Sequence, residues 1–271
     1  MPATSASPES ASLPPAAIIT RLRGAGCVYA EDEAQLLLAA ARSPEELADM
    51  VERRVAGFPL EHILGWAEFC GLRIAVDAGV FIPRRRTEFL VQQAASLAPP
   101  RAAVVDLCCG SGAIGTAMST LVDHAELYAA DIDPAAVACA SRNLAAANGQ
   151  ARVFQGDLYE ALPTVLRGRI DVLIANVPYV PSSAVKLMPP EARIYEPLVA
   201  LDGGADGLDI LRRVAVEAPV WLKPDGCLVV ESSERQASSM IEILAHAGLI
   251  PRRATDEELG ATVIIGSQRR S

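Results

Sequence analysis

The residues best placed to do chemistry are Asn176-Val177-Pro178-Tyr179, which follow the apolar run Val172 to Ala175. Such a run reads as a buried central strand, so the four residues emerge at its carboxyl end, the edge where open α/β sheets bind ligands. The Asn176 amide offers an acceptor and two donors. Pro178 restricts Val177 to an extended conformation that aims its carbonyl outward, and Tyr179 presents a flat face for a planar group. Together they suit a planar –NH2 group, either a carboxamide or the exocyclic amine of a base. Its nitrogen lone pair is delocalised, so attack on an electrophile requires acceptors that hold both N–H bonds as the nitrogen pyramidalises. The chemistry such a constellation suits is amino-group methylation.

A second cluster lies upstream. The short apolar strand Ala102 to Leu107 feeds Cys108-Cys109-Gly110-Ser111-Gly112-Ala113-Ile114-Gly115, and a helix follows to about Val122. Strand, glycine loop and helix form a nucleotide-binding turn. Gly110-x-Gly112-x-x-Gly115 fits the dinucleotide fingerprint, and Asp131 and Asp133 fall about 20 residues on, where an acid would hold a ribose. A dehydrogenase is therefore a rival, and Asp106 weighs against it. A carboxylate at the end of the first strand repels a pyrophosphate but attracts S-adenosylmethionine, which carries an ammonium and a sulfonium. Asp131 is assigned to the ribose, with Ile132 beside it. Asp133 is equally a helix N-cap before Pro134. A third strand, from Val153, ends in Gly156-Asp157-Leu158, where Asp157 could accept an adenine amino hydrogen or simply form a turn.

The rest of the chain must position these loops. Residues 1–12 are rich in Pro, Ala and Ser and read as a loose tail, not a signal peptide. Residues 13–65 carry a helical pattern, with Ser43-Pro44-Glu45-Glu46 as a helix start. Residues 66–82 read as a β-hairpin linker and 83–271 as the site-bearing domain. Strands alternate with helices through that domain, as in a doubly wound α/β sheet. A long proline-punctuated segment runs from Pro181 to Pro197, ahead of Leu201-Asp-Gly-Gly-Ala-Asp-Gly207, and a connection of that length is usually functional. Arg84-Arg85-Arg86 reads as a solvated face, or alternatively as an anion patch facing RNA or a ribosomal partner.

Composition narrows the partners. The 271 residues are 51% hydrophobic with a net charge of −9, which argues against a broad grip on nucleic acid. None of the six cysteines forms a CxxC pair, so neither a disulfide framework nor a structural zinc is expected, and the cytoplasm fits. No apolar run reaches membrane-spanning length.

Several segments together resemble the HemK-type protein-(glutamine-N(5)) methyltransferases. They are Pro59-Leu-Glu-His-Ile-Leu-Gly65, Ile82-Pro83-Arg84 with Thr87-Glu88, Asp106-Leu107 with Gly110-Ser-Gly-Ala-Ile114, Gly156-Asp-Leu158, Asn176-x-Pro178-Tyr179, and Glu196-Pro197 through Gly203-Gly204 to Asp206-Gly207-Leu208. The resemblance implies a seven-stranded class-I methyltransferase domain behind a small helical domain and a hairpin. It also implies S-adenosylmethionine as methyl donor and, as substrate, the glutamine of a release factor's Gly-Gly-Gln loop or of a ribosomal protein. The expected donor-binding set is Asp106, Cys108, Gly110, Gly112, Asp131, Ile132, Asp157, Leu158 and Asn176. The expected substrate-binding set is Asn176, Val177, Pro178 and Tyr179, with Asn176, Pro178 and Tyr179 catalytic and no metal. The chain departs from the family twice. Cys108 stands at the family's first loop glycine, where its side chain should narrow the cradle, and Val177 stands at the family's first motif proline, adding an N–H that needs a partner.

Overall fold

A computed structural model of the chain describes residues 13–147 and 149–268; the tail expected at 1–12 lies outside the described residues. The chain forms two compact units divided between Gly65 and Trp66.

The first unit is helical: α1 (Pro15–Gly24), α2 (Ala30–Ala40), α3 (Pro44–Val55) and α4 (Leu60–Leu64). Ser43 caps α3 by accepting the Glu46 N–H at 3.2 Å, with Pro44 at the first helical position. Ile18, Leu22, Leu37 and Val51 are fully buried in its core. Beside them Arg54 donates Nε to Glu33 at 2.6 Å and Nη2 at 3.1 Å, and Nη1 to the Phe58 carbonyl at 3.0 Å. The fork satisfies both buried charges at once.

The second unit opens with the antiparallel hairpin β1 (Trp66–Phe69) and β2 (Leu72–Ala75). The hairpin expected as a linker is packed into this unit: Phe69 and Ile74 sit in the sheet's core, and the Cys70 N–H donates to Glu88 at 3.0 Å. Then follow α5 (Thr87–Leu97), β3 (Ala103–Leu107), α6 (Ala113–Leu121), β4 (Glu126–Asp131), α7 (Pro134–Ala147), β5 (Arg152–Gln155) and β6 (Ile170–Ala175). After the short helices α8 (Ser182–Val185) and α9 (Pro190–Tyr195) come α10 (Asp209–Trp221), β7 (Leu222–Ser232), α11 (Ala237–His246), β8 (Ile250–Asp256) and β9 (Ala261–Ser267).

The seven strands lie in the order β5-β4-β3-β6-β7-β9-β8, parallel except where β9 runs against both neighbours. The parallel strands are continuous apolar runs because helices cover both faces, and two apolar layers result, one around Val104, Val172 and Val229 and one around Leu107, Leu173 and Leu228. The chain winds outward from β3 to β5 and then returns to β6 on β3's other side. The switch point thus falls between β3 and β6, whose carboxyl ends open a crevice. Lys223 to Gly226, residue types that suit a turn, instead form a bulge within β7, with Gly226 against the Ile170 carbonyl. β9 is an inner strand and almost wholly buried.

Candidate active site

A cleft of about 1060 Å³, counting the part open to solvent, lies at the switch point. One wall is the β3–α6 loop with the end of β4. Cys108, Gly110, Asp131 and Ile132 line it. Cys108 has φ +56°, a left-handed conformation that normally belongs to glycine. The loop has therefore kept a glycine's course and placed a thiol in it. Burial, with Asp131 adding to it, pushes the thiol up, so it is not a reactive thiolate. Above Gly110 (φ +54°) the protein leaves room: the nearest atom to an added side-chain carbon is Phe81 Cβ at 4.0 Å. The Asp131 carboxylate accepts the Gly110 N–H at 2.8 Å and the Asp133 N–H at 2.9 Å, tying the loop to β4. Each oxygen retains a lone pair for a hydroxyl. Asp133 in turn accepts the Ala135 N–H at 2.9 Å, the local turn of a helix start.

Four residues expected at the donor lie off the cleft lining. Asp106 is 1% exposed beneath the loop. Its Oδ2 accepts the Gly115 N–H at 3.1 Å, fixing the start of α6, and among the described residues its Oδ1 has no hydrogen-bond partner. Burial raises this carboxyl to about 7, with nearby Asp131 adding to the rise and the Gly115 N–H opposing it. The acid at the end of β3 points back under the turn and does not line the cleft. Gly112 (φ +75°) serves packing: a side-chain carbon there would lie 2.9 Å from Ala140 Cα on α7. Asp157 pairs with Arg213 on α10 at 2.7 Å, and Leu158 is buried. Both sit after β5, one strand further out.

The opposite wall is the β6 end. Asn176, Val177, Pro178 and Tyr179 all line the cleft. Among the described residues the Asn176 side chain makes no hydrogen bond, and Val177 has no backbone partner for its N–H or its carbonyl. The segment itself is nonetheless tightly held. A side-chain carbon at Gly203 would sit 2.5 Å from the Pro178 carbonyl oxygen, and one at Gly207 would strike the Tyr179 carbonyl, so only glycine admits this approach. The Val180 N–H donates to the Leu201 carbonyl at 3.1 Å, and the Val180 carbonyl accepts the Gly203 N–H at 2.9 Å. Gln236 Nε2 donates to the Tyr179 carbonyl at 3.0 Å.

The arginine run, expected as a solvated face, divides by residue. Arg85 is exposed. Arg84 lines the cleft, pairs with buried Glu196 at 2.5 Å and lies 4.8 Å above the Phe81 ring. Arg86 lines it too; its Nε donates to Glu231 Oε1 at 2.9 Å and its Nη2 to the Tyr179 hydroxyl. Thr87 Oγ1 donates to Glu231 Oε2 at 2.5 Å and the Tyr179 hydroxyl to Glu231 Oε1 at 3.1 Å. Sequence reasoning missed Glu231, Gln236 and Asn143. Glu231 carried a usable signal: like Asp131, it is an acid near the carboxyl end of an apolar strand. Asn143 lies mid-helix and gave none, although its amide joins both backbone groups of Ala75, each at 2.9 Å, to the Ser111 carbonyl at 2.8 Å.

Residues 71–196 match the methyltransferase small domain family. The chain is 38% identical over 229 residues to the release factor glutamine methyltransferase of Geobacter sulfurreducens, covering 83% of this chain and 80% of that protein. It is 36% identical to the enzyme of the same name from Streptomyces coelicolor, covering 71% and 69%. Among solved structures, a methyltransferase from Pyrococcus furiosus superposes with a TM-score of 0.57 at 15% identity, over 73% of this chain and 90% of that one. The ribosomal protein L11 methylase of Lactobacillus delbrueckii gives 0.52 at 18%, over 73% and 86%. At those identities the structures speak for the fold. The sequence relatives go further: the chain belongs to the release factor glutamine methyltransferase family.

Proposed function

We propose that this chain transfers a methyl group from S-adenosylmethionine to the side-chain amide nitrogen of a glutamine in a peptide chain release factor, in the cytoplasm. The reading rests on family membership and on one feature of the site: the unengaged Asn176 amide and Val177 carbonyl share a cleft with the open cradle over Gly110. No helix among the described residues is long and apolar enough to cross a membrane.

The residues fit the donor. Gly110 leaves space, Asp131 offers ribose acceptors, and Cys108 and Ile132 form the wall beside them. Asp106 fixes the start of α6 beneath the loop, Gly112 holds the loop to α7, and Asp157 and Leu158, at the next strand end, would stand nearest the adenine. When bound, the donor supplies an electrophilic methyl on a sulfonium.

On the acceptor wall, the Asn176 side-chain oxygen and the Val177 carbonyl accept the two N–H bonds of the glutamine amide. They thereby pull its lone pair toward the donor side. Tyr179 packs on the amide plane. Its hydroxyl is occupied by Arg86 and Glu231, and burial, then the charge of Glu231, hold it above its ordinary pKa, so Tyr179 acts as a face and not as a base. Pro178 keeps Val177 extended. A proton leaves readily from the amide once its nitrogen is alkylated, so the work of these residues is orientation, which supplies on the order of 7–11 kcal/mol in well-aligned systems.

The test is Asn176→Ala assayed with labelled donor and a release factor. The reading predicts a ~10²–10³-fold loss of turnover, comparable to removal of one preorganised transition-state contact. Turnover within twofold of the parent chain would reject it.

A further inference from the structure

Glu231 stands on β7, one strand beyond the motif it serves, and it is 2% exposed. Three donors converge on its carboxylate. Arg86 Nε at 2.9 Å and the Tyr179 hydroxyl at 3.1 Å share Oε1, and Thr87 Oγ1 at 2.5 Å takes Oε2. Arg86 closes the ring by donating to the Tyr179 hydroxyl. The group thus ties three separate pieces of chain together: the end of β7, the first turn of α5 and the loop after β6. A buried carboxylate persists only when it is paired and hydrogen-bonded, and here every bond it receives fixes a group at the cleft wall.

We infer that Glu231 is the positioning residue of this active site, clamping the Tyr179 ring, with Arg86 as bridge, in the attitude that receives the acceptor amide. The inference deepens the proposed function and rests on it. An aromatic ring attached only through Cβ pivots about two torsions. Its backbone here is fixed by Gln236 and Gly207, which leaves the hydroxyl as the second anchor. With the hydroxyl bonded on one side by Arg86 and on the other to Glu231, the long axis of the ring is held, and the Arg86 guanidinium lies over one face of the ring, 5.8 Å from its centroid. The position of Arg86 also explains why a cation tolerates a place beside a sulfonium-binding cleft: the carboxylate behind it cancels its charge.

The test compares Glu231→Gln, Tyr179→Phe and the double variant against the parent chain. The assays are steady-state methylation of a release factor and calorimetry with S-adenosylhomocysteine. Glu231→Gln keeps shape but removes the charge and one acceptor oxygen. It is expected to lower kcat at least tenfold, with KM for the release factor changed less than threefold and the S-adenosylhomocysteine Kd less than twofold. Tyr179→Phe, the milder change, is expected to lower kcat at least fivefold. The double variant should lose no more than threefold beyond the worse single one, because both cut the same clamp. Parental kcat in Tyr179→Phe, full multiplication of the two losses, or an equal loss of S-adenosylhomocysteine affinity would each overturn the assignment. A parent chain that binds S-adenosylhomocysteine but methylates no release factor would sink the substrate reading instead. The clamp is then judged by amide exchange over residues 176–180: at least tenfold faster exchange in Glu231→Gln upholds it, and equal rates overturn it.

Discussion

The two walls of the cleft are built on different principles. The donor wall is mostly backbone: Gly110 and its open space, Cys108 held at φ +56°, and Asp131 gripping two amide N–H groups. The acceptor wall is mostly side chain: an unengaged Asn176 amide, a Tyr179 ring anchored by Arg86 and Glu231, and two glycines that let a neighbouring loop press on the motif. Backbone walls recognise by shape and tolerate a changed side chain if the dihedrals survive. Side-chain walls recognise by orientation and fail when one contact is lost. Cys108 illustrates the first kind. It adopts the glycine conformation, at a cost of about 1–2 kcal/mol, while its side chain still lines the cleft.

Substitutions can break or sharpen this contrast. The largest effect falls on the acceptor wall, where Asn176→Ala should cost about 2.7–4 kcal/mol of transition-state stabilisation. S-adenosylhomocysteine affinity, measured by calorimetry, should move far less than turnover. Next comes Gly112→Ala on the donor wall. It adds a side chain at φ +75° and 2.9 Å from Ala140 Cα, so overpacking and the backbone penalty together should cost about 3 kcal/mol in denaturant unfolding.

A pH series probes the acid beneath the donor wall. Asp106 is raised to about 7 from 3.8. Between those values the folded chain holds a proton that the unfolded chain has released. Stability contributed by this group is therefore present at low pH and falls as pH rises through the window, by up to about 1.4 kcal/mol per pH unit. Asp106→Asn should flatten that slope, read as Tm against pH. The smallest effect is expected for Cys108→Gly. Relief of the left-handed strain is partly offset by the greater freedom of the unfolded chain, which leaves a gain of about 0.5–1 kcal/mol. The wider cradle should tighten S-adenosylhomocysteine binding. A loss of both stability and affinity would show that the thiol contributes packing that outweighs its dihedral.

Much of this was legible in the chain itself. Apolar runs ending in Asp131 and Asn176 marked strand ends at a ligand edge, and both residues line the cleft. Pro44 and Ser43 announced the start of α3. Harder to read were contacts between distant segments. Nothing local tells that Arg86 reaches Glu231, 145 positions on, or that Arg84 reaches Glu196, 112 positions on. Charge runs read as solvated because a run has no visible partner, and these partners are single acids on remote elements. Asp106 failed for the opposite reason: its place at a strand end was right, but the direction of its side chain depends on how the turn folds over it. The turn at Lys223 to Gly226 carried turn residues that β7 absorbs as a bulge.

The most direct measurement is mass spectrometry of a release factor incubated with this chain and methyl-deuterated S-adenosylmethionine. The account predicts one labelled methyl on a glutamine side-chain amide. Label on adenine amino groups of added nucleic acid, or a release factor left unlabelled by a chain that binds the donor, would contradict it.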